Sequence, residues 1–120
     1  MNLQDSSRRN AIARSLLSGV AAVSLLASSA MAADVAENWA KNCASCHGKD
    51  GRGQTKAGKM AGTKDMTDAA YQAGLKDEKM FASVKDGLKD KGKDVMKPFA
   101  AKLTDDEIKA LVAHVRTLKK

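Results

Sequence analysis

The chain has 120 residues, 43% of them hydrophobic but only 3% aromatic, with 21 Lys and Arg against 14 Asp and Glu for a net charge of +7. That length suits one small domain, not two. One Pro, two Cys and no apolar run near the roughly 18 residues of a membrane span exclude a collagen-like chain, a disulfide scaffold and a multispanning membrane protein. So few large side chains also leave the core thin, so that something besides them is expected to support folding.

Residues 1–32 read as a secretory signal peptide: Arg8, Arg9 and Arg14, then the apolar stretch 16–27, then Ala30-Met31-Ala32 as a small-x-small cleavage site. An uncleaved anchor is the alternative, for which the stretch is short. Ser7-Arg8-Arg9 hints at the twin-arginine route without deciding it against the general one. Cleavage after Ala32 removes three Arg and one Asp of the 120 residues and leaves 33–120, 88 residues at +5. Asp34 with Glu37 starts a helix whose inner face is expected to carry Ala36, Trp39, Ala40 and Cys43, extended by Cys46. The glycine- and lysine-rich stretch 48–62 is expected to be a loop. Thr67-Asp68 opens a short helix through Tyr71 to Ala73, stopped at Gly74. A helix over 77–88 places Met80, Phe81, Val84 and Leu88 on one face, and 89–97 reads as loop again. Thr104 with Glu107 is a capping box, followed by Ile108, Leu111, Val112, Val115 and Leu118 at helical spacing, with Arg116, Lys119 and Lys120 where cations suit the helix dipole. No strand pattern appears, so the domain is expected to be all-α with long loops.

Cys43-Ala44-Ser45-Cys46-His47 is C-x-x-C-H, the pattern of covalent haem attachment. Two Cys one helical turn apart can both face a flat macrocycle and form thioethers with its vinyl groups, and the adjacent His can offer a ring nitrogen to the iron. Other readings compete. A thioredoxin-like pair expects a βαβ surrounding, which is missing. Structural zinc wants four ligands, and beyond these three only His114 remains. A Cys43–Cys46 disulfide would leave His47 without a reason. Export favours haem.

With that motif early in the exported chain, a Met-containing segment late in it and a final helix, residues 33–120 resemble the small monohaem class I c-type cytochromes of bacteria. Trp39 stands at that family's aromatic position, Met96-Lys97-Pro98-Phe99 resembles its axial-methionine segment, and 103–108 resembles the start of its last helix. The resemblance implies a small all-α cytochrome c fold, with N- and C-terminal helices crossing and loops wrapped around one covalent haem c. It also implies Cys43 and Cys46 as thioether partners and His47 and Met96 as axial ligands. Met60, Met66, Met80 and His114 are the other candidates for the sixth position. Met80 and Met66 read better as packing residues, and Met60 is the next best after Met96. Three departures stand out: Val35 and His114 replace the family's glycine and aromatic at the helix crossing, and 48–60 lacks a proline whose carbonyl could orient the axial His.

The resemblance further implies a periplasmic one-electron carrier, not an enzyme, working through an exposed haem edge; the alternative is a haem c subunit fixed in an oxidase or dehydrogenase complex. Its partners are expected to be redox proteins with acidic docking faces, with no nucleic acid, membrane contact only through partner complexes, and the chain a monomer. Lys56, Lys59 and Lys64 form the least neutralised cluster, whereas Lys85 beside Asp86, Lys89 beside Asp90 and Lys93 beside Asp94 are expected to cancel.

Overall fold

A computed structural model describes residues 34–120 and Met31. The chain divides into two compact units, Met1–Ala32 and Ala33–Lys120. The expected signal peptide and its cleavage site lie outside the described residues, Met31 apart, and the fold below is that of the second unit.

The described residues form a helix over 34–42 (α1), Ala44–His47 (α2), Lys56–Ala61 (α3), Ala69–Gly74 (α4), Asp77–Asp86 (α5), the hairpin strands Leu88–Asp90 (β1) and Lys93–Met96 (β2), and Asp105–Thr117 (α6). The core is Trp39, Cys43, Leu103, Ile108 and Leu111, with Val35, Phe81, Val84, Phe99, Val115 and Leu118 packed against it. It joins α1, α5, α6 and the segment before α6, the layout of a small cytochrome c fold.

Local signals set several helix starts. Asp68 accepts a hydrogen bond from the Tyr71 amide at 2.7 Å and caps α4. Thr104 and Glu107 form the reciprocal box that starts α6. The inner face of α1 is rotated from the expected one: Trp39 and Cys43 are buried and Val35, Asn38 and Asn42 half-buried, while Ala36 and Ala40 are exposed. A large indole and the core around Leu111 outweigh two methyl groups in choosing which side turns inward.

Two expected loops carry structure. In 48–62, Thr55 accepts a hydrogen bond from the Gly58 amide and Gly62 closes the other end in the left-handed conformation, which makes α3. The helix expected over 77–88 stops at Asp86, and Leu88 enters an antiparallel hairpin in the stretch expected to be loop. Lys91 and Gly92 both have positive φ, 50° and 78°, the pattern of a two-residue type I′ turn that matches strand twist. Leu88 pairs with Met96 and Lys89 with Asp94, so Val95 is the extra residue of a bulge.

Two sets of polar contacts tie the helices together. Phe99 and Ala100 amides donate to the Val84 and Lys85 carbonyls at the end of α5, at 2.9 and 3.2 Å. Arg116 donates to the Gln72 and Leu75 carbonyls, each at 2.7 Å, and to Asp77 at 2.9 Å, so this last-turn cation satisfies the C-terminus of α4 instead of only facing its own dipole. Gln72, 2% exposed, donates to the carbonyls of Met66 at 2.6 Å and Val115 at 2.7 Å. The surface ion pairs also differ from the neighbour pairings expected: Lys85 meets Asp105 at 3.2 Å and Lys89 reaches Asp94 across the hairpin at 3.8 Å.

Candidate functional site

Two cavities, about 290 and 450 Å³, meet at Cys43, His47 and Met96, which line both. The smaller is walled by Trp39, Met66, Tyr71, Leu75, Met80, Val84 and Leu111 as well. The larger adds Cys46, Val95 and Phe99, with Lys41, Lys97, Lys102 and Asp94 among its polar residues. The fold therefore brings Met96 to the attachment motif although 48 residues of chain lie between it and His47.

The motif itself spans a turn and a short helix. The His47 amide donates to the Cys43 carbonyl at 2.9 Å, which holds Cys43, Cys46 and His47 in one helical register. Thr55 lies over its end: Oγ1 is 2.7 Å from the Ser45 carbonyl oxygen and 3.1 Å from that of Cys46, its single hydrogen shared between them. Gly58 comes so close that a Cβ there would lie 2.2 Å from the Cys46 carbonyl oxygen. Only a residue without a side chain lets α3 lie against the motif. The Gly53 amide donates to the His47 carbonyl at 2.8 Å, and Trp39 Nε1 donates to the Gly48 carbonyl at 3.1 Å. These contacts occupy the last carbonyls of the attachment turn, which a short helix cannot satisfy by itself.

Both cysteines are free thiols, and burial pushes the Cys43 thiol up to about 11. Burial also holds the His47 imidazole below its ordinary pKa. The neutral ring keeps a lone pair for a metal. Its Nδ1 is buried with no hydrogen-bond partner among the described residues, so no backbone carbonyl takes the place of the missing proline. A buried polar atom without a partner is costly unless a bound group or its consequences satisfy it. A cleft walled by two adjacent thiols, a neutral imidazole and a thioether fits a covalently held haem.

The other candidates for the sixth position separate by placement. Met60 is 81% exposed on α3 and lines neither cavity. Met66 and Met80 line the smaller cavity, and Met96 alone of the four lines both. His114 is half-buried, its ring 5.0 Å from that of Trp39, which is in turn 5.8 Å from His47. The imidazole thus fills the family's aromatic position at the meeting of α1 and α6.

Thr55, Gly58, Gln72 and Gly87 escape notice in the sequence, although each supports the site. Signals for two were present: a Thr three residues before a glycine in 48–62, and a glycine at 87 that marks a helix end.

Residues 30–115 match the family described as cytochrome C oxidase, cbb3-type, subunit III. A solved structure titled KustC0563 c-type cytochrome is 37% identical in sequence and has a TM-score of 0.66, over 72% of this chain and 99% of that one. A second, of a Tyr-to-Phe mutant of that protein, is 36% identical with a TM-score of 0.63 over the same shares.

Proposed function

Because the chain belongs to the c-type cytochromes, in the family described as cbb3-type oxidase subunit III, and so binds haem c covalently for electron transfer, we propose that it is a periplasmic one-electron carrier. In this reading Cys43 and Cys46 hold the haem through thioethers, and His47 and Met96 occupy its two axial positions. The observation that carries the reading is the meeting of the attachment motif and Met96 on one cleft.

Haem c bound there supplies a one-electron iron couple. The chain sets its properties. Neutral His47 and the soft Met96 sulfur would together hold the iron and leave it no open site for a substrate, and a thioether ligand would raise the potential. Leu75, Val84 and Leu111 exclude water from one side of the cleft, which favours the less charged state of a buried redox centre. Lys97 and Lys102, both exposed, lie at the larger cavity with Asp94. Their excess of positive charge, added to the +5 of residues 33–120, supports acidic redox partners. A carrier must release after each transfer, so its interfaces are small, typically below about 1,200 Å² in total.

A second reading, a subunit fixed in an oxidase complex, is favoured by the family's description. No helix among the described residues is long and apolar enough to cross a membrane. Purification distinguishes the two readings: a carrier is released as a monomer once salt screens its docking, whereas co-purification with a large complex through high salt supports the fixed subunit. The haem assignment is tested by mass spectrometry of the exported chain, which should begin at Ala33 and carry one haem. Cys43→Ala/Cys46→Ala should release the haem on denaturing gels; covalent haem retained by that variant would overturn the assignment.

A further inference from the structure

Where Met96 lines the cleft, its backbone is held by three contacts. Leu88 pairs with Met96. The Phe99 and Ala100 amides fix the following residues to the end of α5. The third contact is with Gly87. It sits at φ 80° and ψ 176°, a combination essentially restricted to glycine, with its amide donating to the Ser83 carbonyl at 2.9 Å. A Cβ there would lie 2.7 Å from the Met96 carbonyl oxygen, 2.9 Å from the Pro98 nitrogen and 3.1 Å from Pro98 Cδ. Two of these are backbone atoms that no side-chain rotation can move aside.

We propose that Gly87 is a positioning residue for the Met96 sulfur: its missing side chain lets the turn after α5 lie directly on the Met96 carbonyl and Pro98, and so sets the distance of the thioether from His47. The inference rests on Met96 as the axial ligand. Ligand placement of this kind is sensitive to about 0.5 Å. A side chain at position 87 has two ways to settle, and both move Met96: the turn retreats and carries Leu88 with it, or the segment 96–98 is pushed off α5. Gly92, at the tip of the same hairpin, is the internal comparison. Its φ is 78°, but nothing lies within 4 Å of a Cβ built there. Alanine at 92 therefore strains the backbone without touching Met96.

The test compares wild type, Gly87→Ala, Gly92→Ala and Met96→Ala as ferric holoproteins by three measurements: the near-infrared sulfur-to-iron band, the reduction potential and the affinity for added imidazole. Gly87→Ala should weaken or abolish the band, lower the potential and bind imidazole about tenfold tighter or more, the equivalent of ordinary backbone strain transferred to the axial bond. Gly92→Ala should match wild type in all three. The inference is overturned if Gly87→Ala matches wild type while Met96→Ala loses the band, or if Gly92→Ala is altered as much as Gly87→Ala. A band retained in Met96→Ala would overturn the axial reading itself, and the inference with it. Where Gly87→Ala yields no holoprotein, Pro98→Ala probes the same contact from the other side: tighter imidazole binding supports the inference and unchanged binding overturns it.

Discussion

On one side of the cleft, Cys43, Cys46 and His47 come from five consecutive residues, and the Cys46 and His47 amides, both donating to the Cys43 carbonyl, hold them in register. On the other, Met96 stands at the end of a bulged hairpin whose position depends on Gly87, on α5 and on the Phe99 and Ala100 amides. The first side is made by local geometry and then braced by Thr55 and Gly58. The second exists only once α5 and α6 have packed. An attachment group needs only a correct local spacing, whereas a facing ligand must be delivered across the fold. The methionine side is therefore the more easily disturbed of the two.

The strongest break in that comparison is Met96→Ala. The haem should remain covalently attached, since Cys43 and Cys46 are untouched, while the sulfur-to-iron band disappears and the potential falls by ~0.1 V or more, a fraction of the ~0.8 V span that axial ligands control. Spectroelectrochemistry measures both. Met60→Ala, Met66→Ala and Met80→Ala should keep the band; its loss in Met66→Ala or Met80→Ala would move the facing ligand to the wall built by α4 and α5.

Gln72 ties together the wall of the smaller cavity, because its amide donates to the carbonyls of Met66 and of the α6 residue Val115. Gln72→Leu keeps the volume but leaves the half-buried Met66 carbonyl without its partner, the Val115 carbonyl keeping the Leu118 amide, which should cost about 1–2 kcal/mol. Denaturant unfolding should show the loss with the haem spectrum of the native state unchanged. A spectrum altered in native conditions would mean that this tie also shapes the cleft.

On the attachment side, Thr55→Val removes the cap of α3 and the hydroxyl shared by the Ser45 and Cys46 carbonyls. The expected loss is about 1 kcal/mol, the usual worth of a helix cap, with the sulfur-to-iron band intact. Weakening of that band would show that the two sides are coupled.

The smallest effect is one of pH. The Glu107 carboxyl is held below its ordinary value of 4.5, chiefly by accepting the Thr104 amide hydrogen bond at the start of α6. A depressed folded pKa stabilises the fold above the unfolded pKa, and that contribution disappears as pH falls through the folded pKa. Glu107→Gln should therefore flatten the acid limb of stability below about pH 4.5 and leave neutral-pH spectra alone. Asp65 is lowered in the same direction, by hydrogen bonds from Thr67, so part of the limb should remain.

How far the sequence could be read depended on the range of the forces at each residue. Asp68 and Thr104 announce α4 and α6 because capping acts over three residues. The phase of α1 was misjudged because Ala36 and Ala40 fit a helical stripe as well as Val35 and Asn38 do, and only the packing of Trp39 against α6 chooses between them. The hairpin was hidden by its own composition: Lys89, Asp90, Lys93 and Asp94 are all exposed, so the strands show no alternation of apolar and polar residues.

The C-x-x-C-H spacing, weighed with the signs of export, pointed to covalent haem from sequence, since a one-turn helix suffices to place its three side chains, and composition alone indicated that the core would be thin. That Met96 lines the same cleft as His47, that Gly87 and Gly58 have no room for side chains, and that Arg116 closes the end of α4 were decided only by the tertiary structure. The reason is physical: each depends on residues nine or more positions apart being brought together, and no periodicity in a chain encodes the distance between two of its surfaces.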